Sequence, residues 1–192
     1  MKKTLTFILL LSTYTATRAQ VFESESNHFS IGYGLGSGYG RLLNAYQAYD
    51  GYKFSGFGPV QLAYERGITD NIGVGASLGY SGYGGTWLQS NYDYKYSWKT
   101  ISVLIRGAYH FDLNNRNFDP YAGVGIGFLK YSYKWTSSDP SFNEASYNVS
   151  SGSPLGYQIF VGARYHFNDN VGVYAELGYG LALMNAGLTF KF

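Results

Sequence analysis

The chain has 192 residues, a net charge of +2 and only 14% charged residues, and it contains no cysteine. Its fold therefore cannot depend on disulfides, and its charge lacks the basic stripe of a nucleic-acid-binding protein. Aromatic residues make up 19% of the chain, and its 26 glycines recur too regularly for a disordered low-complexity segment.

The N-terminal residues have the pattern of a secretory signal peptide. Lysines precede an apolar run over Leu5–Leu11, and Ala19 fits the last position before a cleavage site. We therefore expect a cleaved signal peptide over residues 1–19 and one mature domain over residues 20–192. No later stretch has the ~18 consecutive apolar residues that a membrane-spanning helix needs.

Behind this segment, apolar residues alternate with small or polar residues in eight stretches. In Ile72–Tyr80, apolar residues hold the even positions and glycine or serine holds the odd positions. Period two is typical of a strand with two different faces, so the sequence predicts an all-β mature chain. The eight stretches are Phe29–Gly36, Val60–Glu65, Ile72–Tyr80, Ile101–Phe111, Ala122–Phe128, Tyr157–Phe167, Val171–Tyr179 and Gly187–Phe192.

The connections between these strands alternate in length. This alternation predicts an up-and-down order in which both termini and the short turns share one rim. The short links are Gly67–Asn71, Leu113–Asp119 and Asn168–Asn170, the long links are about Arg41–Phe57, Gly84–Ser97 and Lys134–Pro154, and the last link, near Leu183–Asn185, is short.

The less apolar face of the strands indicates which side faces out. In a soluble barrel, about a quarter of the residues on the water-exposed surface are charged. The less apolar face here is mostly Gly, Ser, Ala and Thr. Small residues suit the narrow interior of an eight-stranded barrel, and the bulky uncharged face suits lipid. The sequence therefore predicts an eight-stranded antiparallel up-and-down transmembrane β-barrel. A tyrosine-rich soluble sandwich is the alternative.

Outward aromatic residues collect at both ends of the predicted strands. Two aromatic girdles around an aliphatic belt are typical of an outer-membrane barrel. The girdle at the rim with the termini contains Phe29, Tyr64, Tyr109, Phe111, Tyr165 and Phe167, followed by Phe190 and Phe192. The girdle at the other rim contains Tyr39, Tyr80, Phe128, Tyr157 and Tyr179.

The alternating strands and the C-terminal NAGLTFKF resemble the small bacterial outer-membrane barrels of the OmpA/OmpX type, over essentially the whole mature chain. In that family the last strand carries an assembly signal that the barrel-insertion machinery reads. Asn185, Gly187, Phe190 and Phe192 fill its pattern. The resemblance implies a monomer in the bacterial outer membrane, in contact with membrane lipid and lipopolysaccharide. The fourth outer connection is shorter than the family's long loops.

Five charged residues take the inward parity in the half of the barrel near the short turns. Charges in a narrow interior need partners, and Arg164 and Glu176 lie on neighbouring strands within diagonal reach. We interpret the set as a network that rigidifies the interior. A gate or a proton-sensitive plug is the alternative, and the inward glycines leave open whether the interior interlocks or holds a crevice. The set comprises Glu65, Arg106, Arg164, Glu176 and Lys191.

The three histidines point to no metal site. His110 and His166 face inward without enough ligands around them, so we expect structural histidines, no metal and no cofactor. His28 and Ser30 resemble the His-x-Ser pairing of the lipid A deacylase barrels, but they take the inward parity at the inner rim and have no orienting acid. We therefore expect no enzyme.

The long outer links are rich in Tyr, Trp, Ser and Asn, which make good contact surfaces. They predict a binding surface, although aromatic rings that only seat the loops among lipid head groups would show the same composition. The candidate residues are Tyr49, Tyr52, Trp87, Tyr94, Trp98 and Trp135.

We expect a structural or surface-interaction (adhesin-like) protein of the outer membrane that binds an extracellular ligand and no nucleic acid. Three alternatives stay open: a narrow solute channel, a lipid A-modifying enzyme, and an envelope assembly or secretion factor.

Overall fold

Eight strands form a closed barrel in the computed structural model, which describes residues 21–35, 51–146 and 148–192. Every strand pairs antiparallel with its neighbours in sequence, and β1 also pairs with β8, which confirms the predicted up-and-down barrel. The expected signal peptide, Tyr39 and Tyr49 lie outside the described residues. The strands are β1 Asn27–Leu35, β2 Lys53–Gly67, β3 Ile72–Gln89, β4 Tyr92–His110, β5 Phe118–Ser137, β6 Val149–His166, β7 Val171–Tyr179 and β8 Met184–Lys191.

One short 3₁₀ turn, Glu144–Ser146, interrupts the strand structure between β5 and β6. Within the described ranges, no helix has both the length and the apolar character to cross a membrane.

The apolar face of the strands lies on the outside of the barrel. Ile105 is 66% exposed, whereas its neighbours Leu104 and Arg106 are 5% and 9% exposed. The same alternation holds in β3, where Leu78 is exposed and Ser77 is buried. A continuous apolar exterior is unfavourable in water but favourable against acyl chains, which agrees with a transmembrane barrel.

The predicted long link over Gly84–Ser97 is wrong, because this segment is a β-hairpin. β3 runs to Gln89, β4 begins at Tyr92, and only Ser90 and Asn91 connect them. Both turn residues have positive φ, 52° and 65°, as in the type I′ turn that suits the twist of a hairpin. The sequence pattern hid these strands because one face carries tyrosine and tryptophan and the other carries lysine, serine and threonine, so the apolar–small alternation of the other strands is absent. Tyr, Trp and Thr nevertheless favour strands.

The central strands extend well beyond one rim of the barrel. β2 to β6 contain 15 to 20 residues, whereas β1, β7 and β8 contain 8 or 9. Since about 9–11 residues span the membrane, the outer parts of β2 to β6 project from it. We call this projection the upper sheet, and it comprises residues 53–57, 82–89, 92–99, 130–137 and 149–153.

A charge on the lipid-facing side of the belt should destabilise the barrel. We expect Ile105→Arg to lower the free energy of unfolding by about 2–4 kcal/mol, because the guanidinium enters the middle of the hydrocarbon. Urea unfolding in phospholipid vesicles measures this effect. Leu88→Arg, on the same face near the hairpin tip, is the matched control and should cost at most about 1 kcal/mol. Equal costs at the two positions would contradict the position of the belt.

Candidate functional site

A buried ion pair crosses the lumen between β4 and β7. Arg106 Nη2 lies 2.5 Å from Glu176 Oε1, and the Tyr121 hydroxyl donates to the same oxygen at 3.0 Å. The Arg106 guanidinium also lies 3.9 Å from the centroid of the Phe160 ring. Arg106, rather than the expected Arg164, is therefore the partner of Glu176. The pairing was missed because reasoning from neighbouring strands cannot detect a partner on the opposite wall.

A second cluster lies nearer the rim with the short turns. Arg164 binds Glu65, and its Nη1 lies 3.4 Å from Asp119 Oδ2. His110 connects the same two carboxylates, with Nδ1 2.8 Å from Asp119 Oδ1 and Nε2 3.1 Å from Glu65 Oε1. Two carboxylates, one guanidinium and one imidazole thus form a closed ring of contacts on β2, β4, β5 and β6.

Asp119 is the member of this ring that the sequence interpretation left out. It was assigned to the link Leu113–Asp119, but β5 begins at Phe118, so Asp119 is the first inward residue of that strand. Asp119 lies two residues before the buried Tyr121 and therefore on the same face of the strand. This shared parity could have identified Asp119 as an inward residue.

Lys191 lies outside the charge network that was expected to include it. Its Nζ is 2.8 Å from Glu23 Oε1, and the Glu23 side chain is half exposed. The N-terminal segment folds across the inner rim and brings Glu23 there. Phe22, in the same segment, is buried and stacks on the His110 ring with centroids 3.5 Å apart. This segment therefore covers His110 at the inner rim, a feature that the sequence pattern did not indicate.

Around the two ion-pair clusters, the interior is interlocked rather than open. A Cβ at Gly123 would overlap the Phe160 ring, and one at Gly73 would overlap the Glu65 carboxylate, so these glycines make room for bulky groups on neighbouring strands. The cavity that remains between the two ion-pair clusters has a volume of about 10 Å³. That is room for one water molecule at most.

Among the described residues, His28 and Ser30 form no hydrogen bond with each other. The Ser30 hydroxyl donates to Thr189 Oγ1 at 3.1 Å. The His28 ring lies 5.6 Å from Phe22 and 5.8 Å from His166, centroid to centroid. This arrangement supplies Ser30 with no base among the described residues.

The candidate binding residues in the described chain share the inner face of the upper sheet, apart from Tyr52, which precedes β2 and packs against that face. We call this surface the concave aromatic face. Its centre is buried, because Tyr96 is fully covered and Trp87 packs edge-on against Trp135 with centroids 5.2 Å apart. Its rings are therefore held by one another rather than carried on separate loops. The face contains Tyr83, Trp87, Tyr94, Tyr96, Trp98, Tyr133 and Trp135.

The segment after β5 packs onto one edge of this face. Phe142 contacts Tyr94, and the Tyr94 hydroxyl donates to Asp139 Oδ2 at 3.1 Å. Ser141 donates to Asp139 Oδ1 from its hydroxyl and its backbone N–H, which lowers the pKa of that carboxyl. Desolvation and the bond to Asp139 raise the pKa of the Tyr94 phenol.

Six of the residues predicted for the girdle at the rim with the termini lie on the exterior and are exposed. These residues are Phe29, Tyr64, Tyr109, Phe111, Tyr165 and Phe167.

The four residues of the expected assembly signal lie on or just after β8. Asn185 is buried and its amide donates to the Tyr174 hydroxyl at 3.1 Å, while a Cβ at Gly187 would overlap the Ile31 carbonyl. Phe190 is half-buried opposite Phe29, and Phe192 is exposed. Recognition of these residues by the insertion machinery stays a prediction.

A family model described as "Outer membrane protein beta-barrel domain" matches residues 6–183. Among solved structures, Ail, the attachment invasion locus protein of Yersinia pestis, is similar with a TM-score of 0.51 and 16% identity over 88% of this chain and 95% of that chain. Two barrels of Pseudomonas aeruginosa are similar at lower scores. The OprF N-terminal barrel has a TM-score of 0.45 and 15% identity over 88% and 99% of the two chains. OprG has a TM-score of 0.47 and 13% identity over 89% and 97%.

No curated protein sequence matches this chain. The likeness to Ail, at this level of identity, shows a shared fold.

Removing one partner of the cross-lumen pair should destabilise the barrel strongly. We expect Arg106→Met to cost about 3–5 kcal/mol, because it leaves the Glu176 carboxylate buried without its counter-charge. The double variant Arg106→Met/Glu176→Gln should recover part of that loss. Urea unfolding in vesicles provides the measurement.

The exposed pair at the rim provides a control. Lys191→Met removes a cation from a partly exposed pair and should cost at most about 1 kcal/mol. If Arg106→Met costs no more than Lys191→Met, the cross-lumen pair does not stabilise the interior.

Proposed function

This chain belongs to the outer membrane protein β-barrel domain family, and from that premise we propose a non-enzymatic, surface-interaction (adhesin-like) role in the bacterial outer membrane. The observation that carries the proposal is the concave aromatic face, which the upper sheet holds outside the membrane. Barrels of this class place short turns on the periplasmic side, so the upper sheet faces the exterior.

The chemistry of this face suits recognition. Tyrosine and tryptophan supply large contact areas at a low entropic cost, and each ring carries a polar group that can form hydrogen bonds. Trp98, Tyr133 and Trp135 are half-buried, so each ring is fixed by its neighbours and still offers a surface. The sheet is hydrogen-bonded continuously with the barrel, and a preorganised surface loses little freedom when it binds.

The filled part of the interior, around the ion-pair clusters, favours this role over the narrow solute channel. Phe22 covers His110 at the inner mouth, and the space between the ion-pair clusters admits one water molecule at most. A solute would have to displace two buried ion-pair clusters. This is energetically unfavourable because it leaves buried charges without their partners.

Shortening the β3–β4 hairpin tests the proposed role. Tyr83 pairs with Trp98, so replacing residues 84–97 by Asn-Gly leaves a register that a two-residue turn can close. We expect cells that display the shortened variant to lose at least about tenfold of their adhesion to a panel of immobilised glycoproteins and polysaccharides, because Trp87, Tyr94 and Tyr96 are gone. The heat-dependent gel mobility of the folded barrel should persist.

Ser90→Asn/Asn91→Gly, which keeps the type I′ turn of the full-length hairpin, is the matched control and should keep the adhesion. Equal adhesion by the shortened and full-length proteins would refute the role of the upper sheet. Discrete conductance steps in planar bilayers would favour the channel, and an altered lipid A mass in expressing cells would favour the enzyme.

A further inference from the structure

The outer half of the lumen contains a cavity that lies apart from the ion-pair clusters. Its volume is about 180 Å³, and it shares no lining residue with the small cavity between those clusters. Leu104 of β4, Leu129 of β5 and Leu181, which follows β7, supply its apolar walls. Because the interlocked part of the interior lies below it, we treat this cavity as a binding pocket and not as part of a passage through the barrel.

The cavity opens through the wall of the barrel, where β7 ends and β6 continues. The outermost residue pair between these strands is Ile159 with Tyr179, and β6 extends beyond it to Val149 without a partner from β7. Leu155, Tyr157 and Tyr179 border the cavity at this point and are exposed. The rings of Tyr157 and Tyr179 stack with centroids 5.6 Å apart, and both belong to the aromatic girdle far from the termini. The opening therefore lies where acyl chains meet head groups.

A leucine from the link between β7 and β8 forms one wall of the cavity. A Cβ at Gly79 would overlap Leu181 Cδ2, so the missing side chain of Gly79 lets Leu181 reach across the lumen to β3. The space that remains is similar in size to an engineered cavity of about 150 Å³, lined by apolar side chains, that binds benzene. The cavity of this barrel therefore has room for a molecule with a single ring.

The β4 wall of the cavity carries two hydroxyl groups, and the described residues that line the cavity include no Asp, Glu, Lys, Arg or His. The hydroxyls belong to the buried Thr100 and Ser102. Trp98 Nε1 donates to Thr100 Oγ1 at 2.9 Å, and a hydroxyl that accepts one hydrogen bond can still donate its own proton. A hydroxyl of a ligand can therefore find a partner on this wall. A carboxylate or an ammonium, by contrast, would be buried without a counter-charge, which is costly.

We propose that this cavity binds a small, uncharged, mainly apolar molecule with one ring, of the phenol class, which enters sideways from the surface of the membrane. The height of the opening favours such a molecule over the acyl chain of a lipid. The end of an acyl chain lies near the bilayer midplane, about 15 Å below the head groups. A ring with one hydroxyl collects at the interface, as tyrosine side chains do.

The proposal is independent of the adhesive role, because the cavity lies in the barrel below the concave aromatic face. Thr100 is two residues closer to the lipid belt than Trp98 of that face. The two roles can therefore be tested with separate variants.

The test uses the full barrel in phosphatidylcholine nanodiscs, titrated with para-fluorophenol and followed by fluorine NMR. Empty nanodiscs measure the partition of the phenol into lipid, so a saturable component above that level reports binding to the protein. We expect Ser102→Phe to lower the affinity at least about tenfold, because the new ring occupies the cavity and one methylene of lost room in an apolar pocket is worth about tenfold or more. The charged para-fluorobenzoate should bind the unmodified protein at least about tenfold more weakly than the phenol.

Val103→Phe is the matched control, because Val103 is the next residue of β4 and faces lipid. It should leave phenol binding unchanged. Heat-dependent gel mobility verifies that each variant is folded. If Ser102→Phe does not fold, Leu181→Gln takes its place, because it lies outside the strands and puts an amide of similar size into the apolar wall. It should also weaken phenol binding at least about tenfold.

Phenol binding that is no greater than in empty nanodiscs, or that the folded cavity variant leaves undiminished, would overturn the proposal. Equal binding of the benzoate would overturn it as well. A lipid that co-purifies with the unmodified protein and is lost from Ser102→Phe, as detected by mass spectrometry, would assign an acyl chain to the cavity and would also overturn it. Because Ser102→Phe keeps the concave aromatic face, its adhesion separates this proposal from the adhesive one.

Discussion

The pairing of β1 with β8 is the interaction on which the rest of the structure depends. The Asn27 N–H donates to the Phe192 carbonyl at 3.2 Å, and the Phe192 N–H donates back to the Asn27 carbonyl at 3.0 Å. Hydrocarbon offers no partner to an unpaired backbone group, so a sheet in lipid is stable only when its first and last strands meet. Closure makes the interior narrow, and a narrow interior requires glycines opposite bulky groups and a partner for every charge.

The same alternation of side chains has different consequences inside and above the membrane. Along β4, one parity exposes Ile105 and Ile101 to lipid and then Lys99 and Lys95 to the head groups. The other parity buries Arg106 in the lumen and then Tyr96 in the concave aromatic face. A single strand thus supplies a lipid-facing belt, a charged interior and two chemically distinct surfaces of the upper sheet. Period two alone gives the upper sheet an aromatic side and a cationic side.

The strand order and the outward face could be predicted because they depend on local alternation, which a single sequence displays. The network inside the lumen could be predicted only in outline. Parity indicates that Arg106 and Glu176 face inward, but their contact spans the lumen and depends on the diameter and shear of the closed barrel. Phe22 lies in a segment without periodicity, so no pattern predicted its stacking on His110. The hairpin at Ser90 was missed because one of its faces is aromatic and the other is cationic. The other strands were recognised by an apolar face that alternates with a face of small residues.

The central claim is that the apolar face of the strands touches acyl chains, and fluorescence quenching by chain-brominated phosphatidylcholine tests it most directly. The chain has three tryptophans, all in the upper sheet, and replacing them by phenylalanine gives a silent background. In that background Ile105→Trp places an indole on the exterior of the belt, and Phe160→Trp places one in the interior. The account predicts strong quenching of the Ile105→Trp variant and little quenching of the Phe160→Trp variant. Equal quenching, or the reverse order, would contradict it.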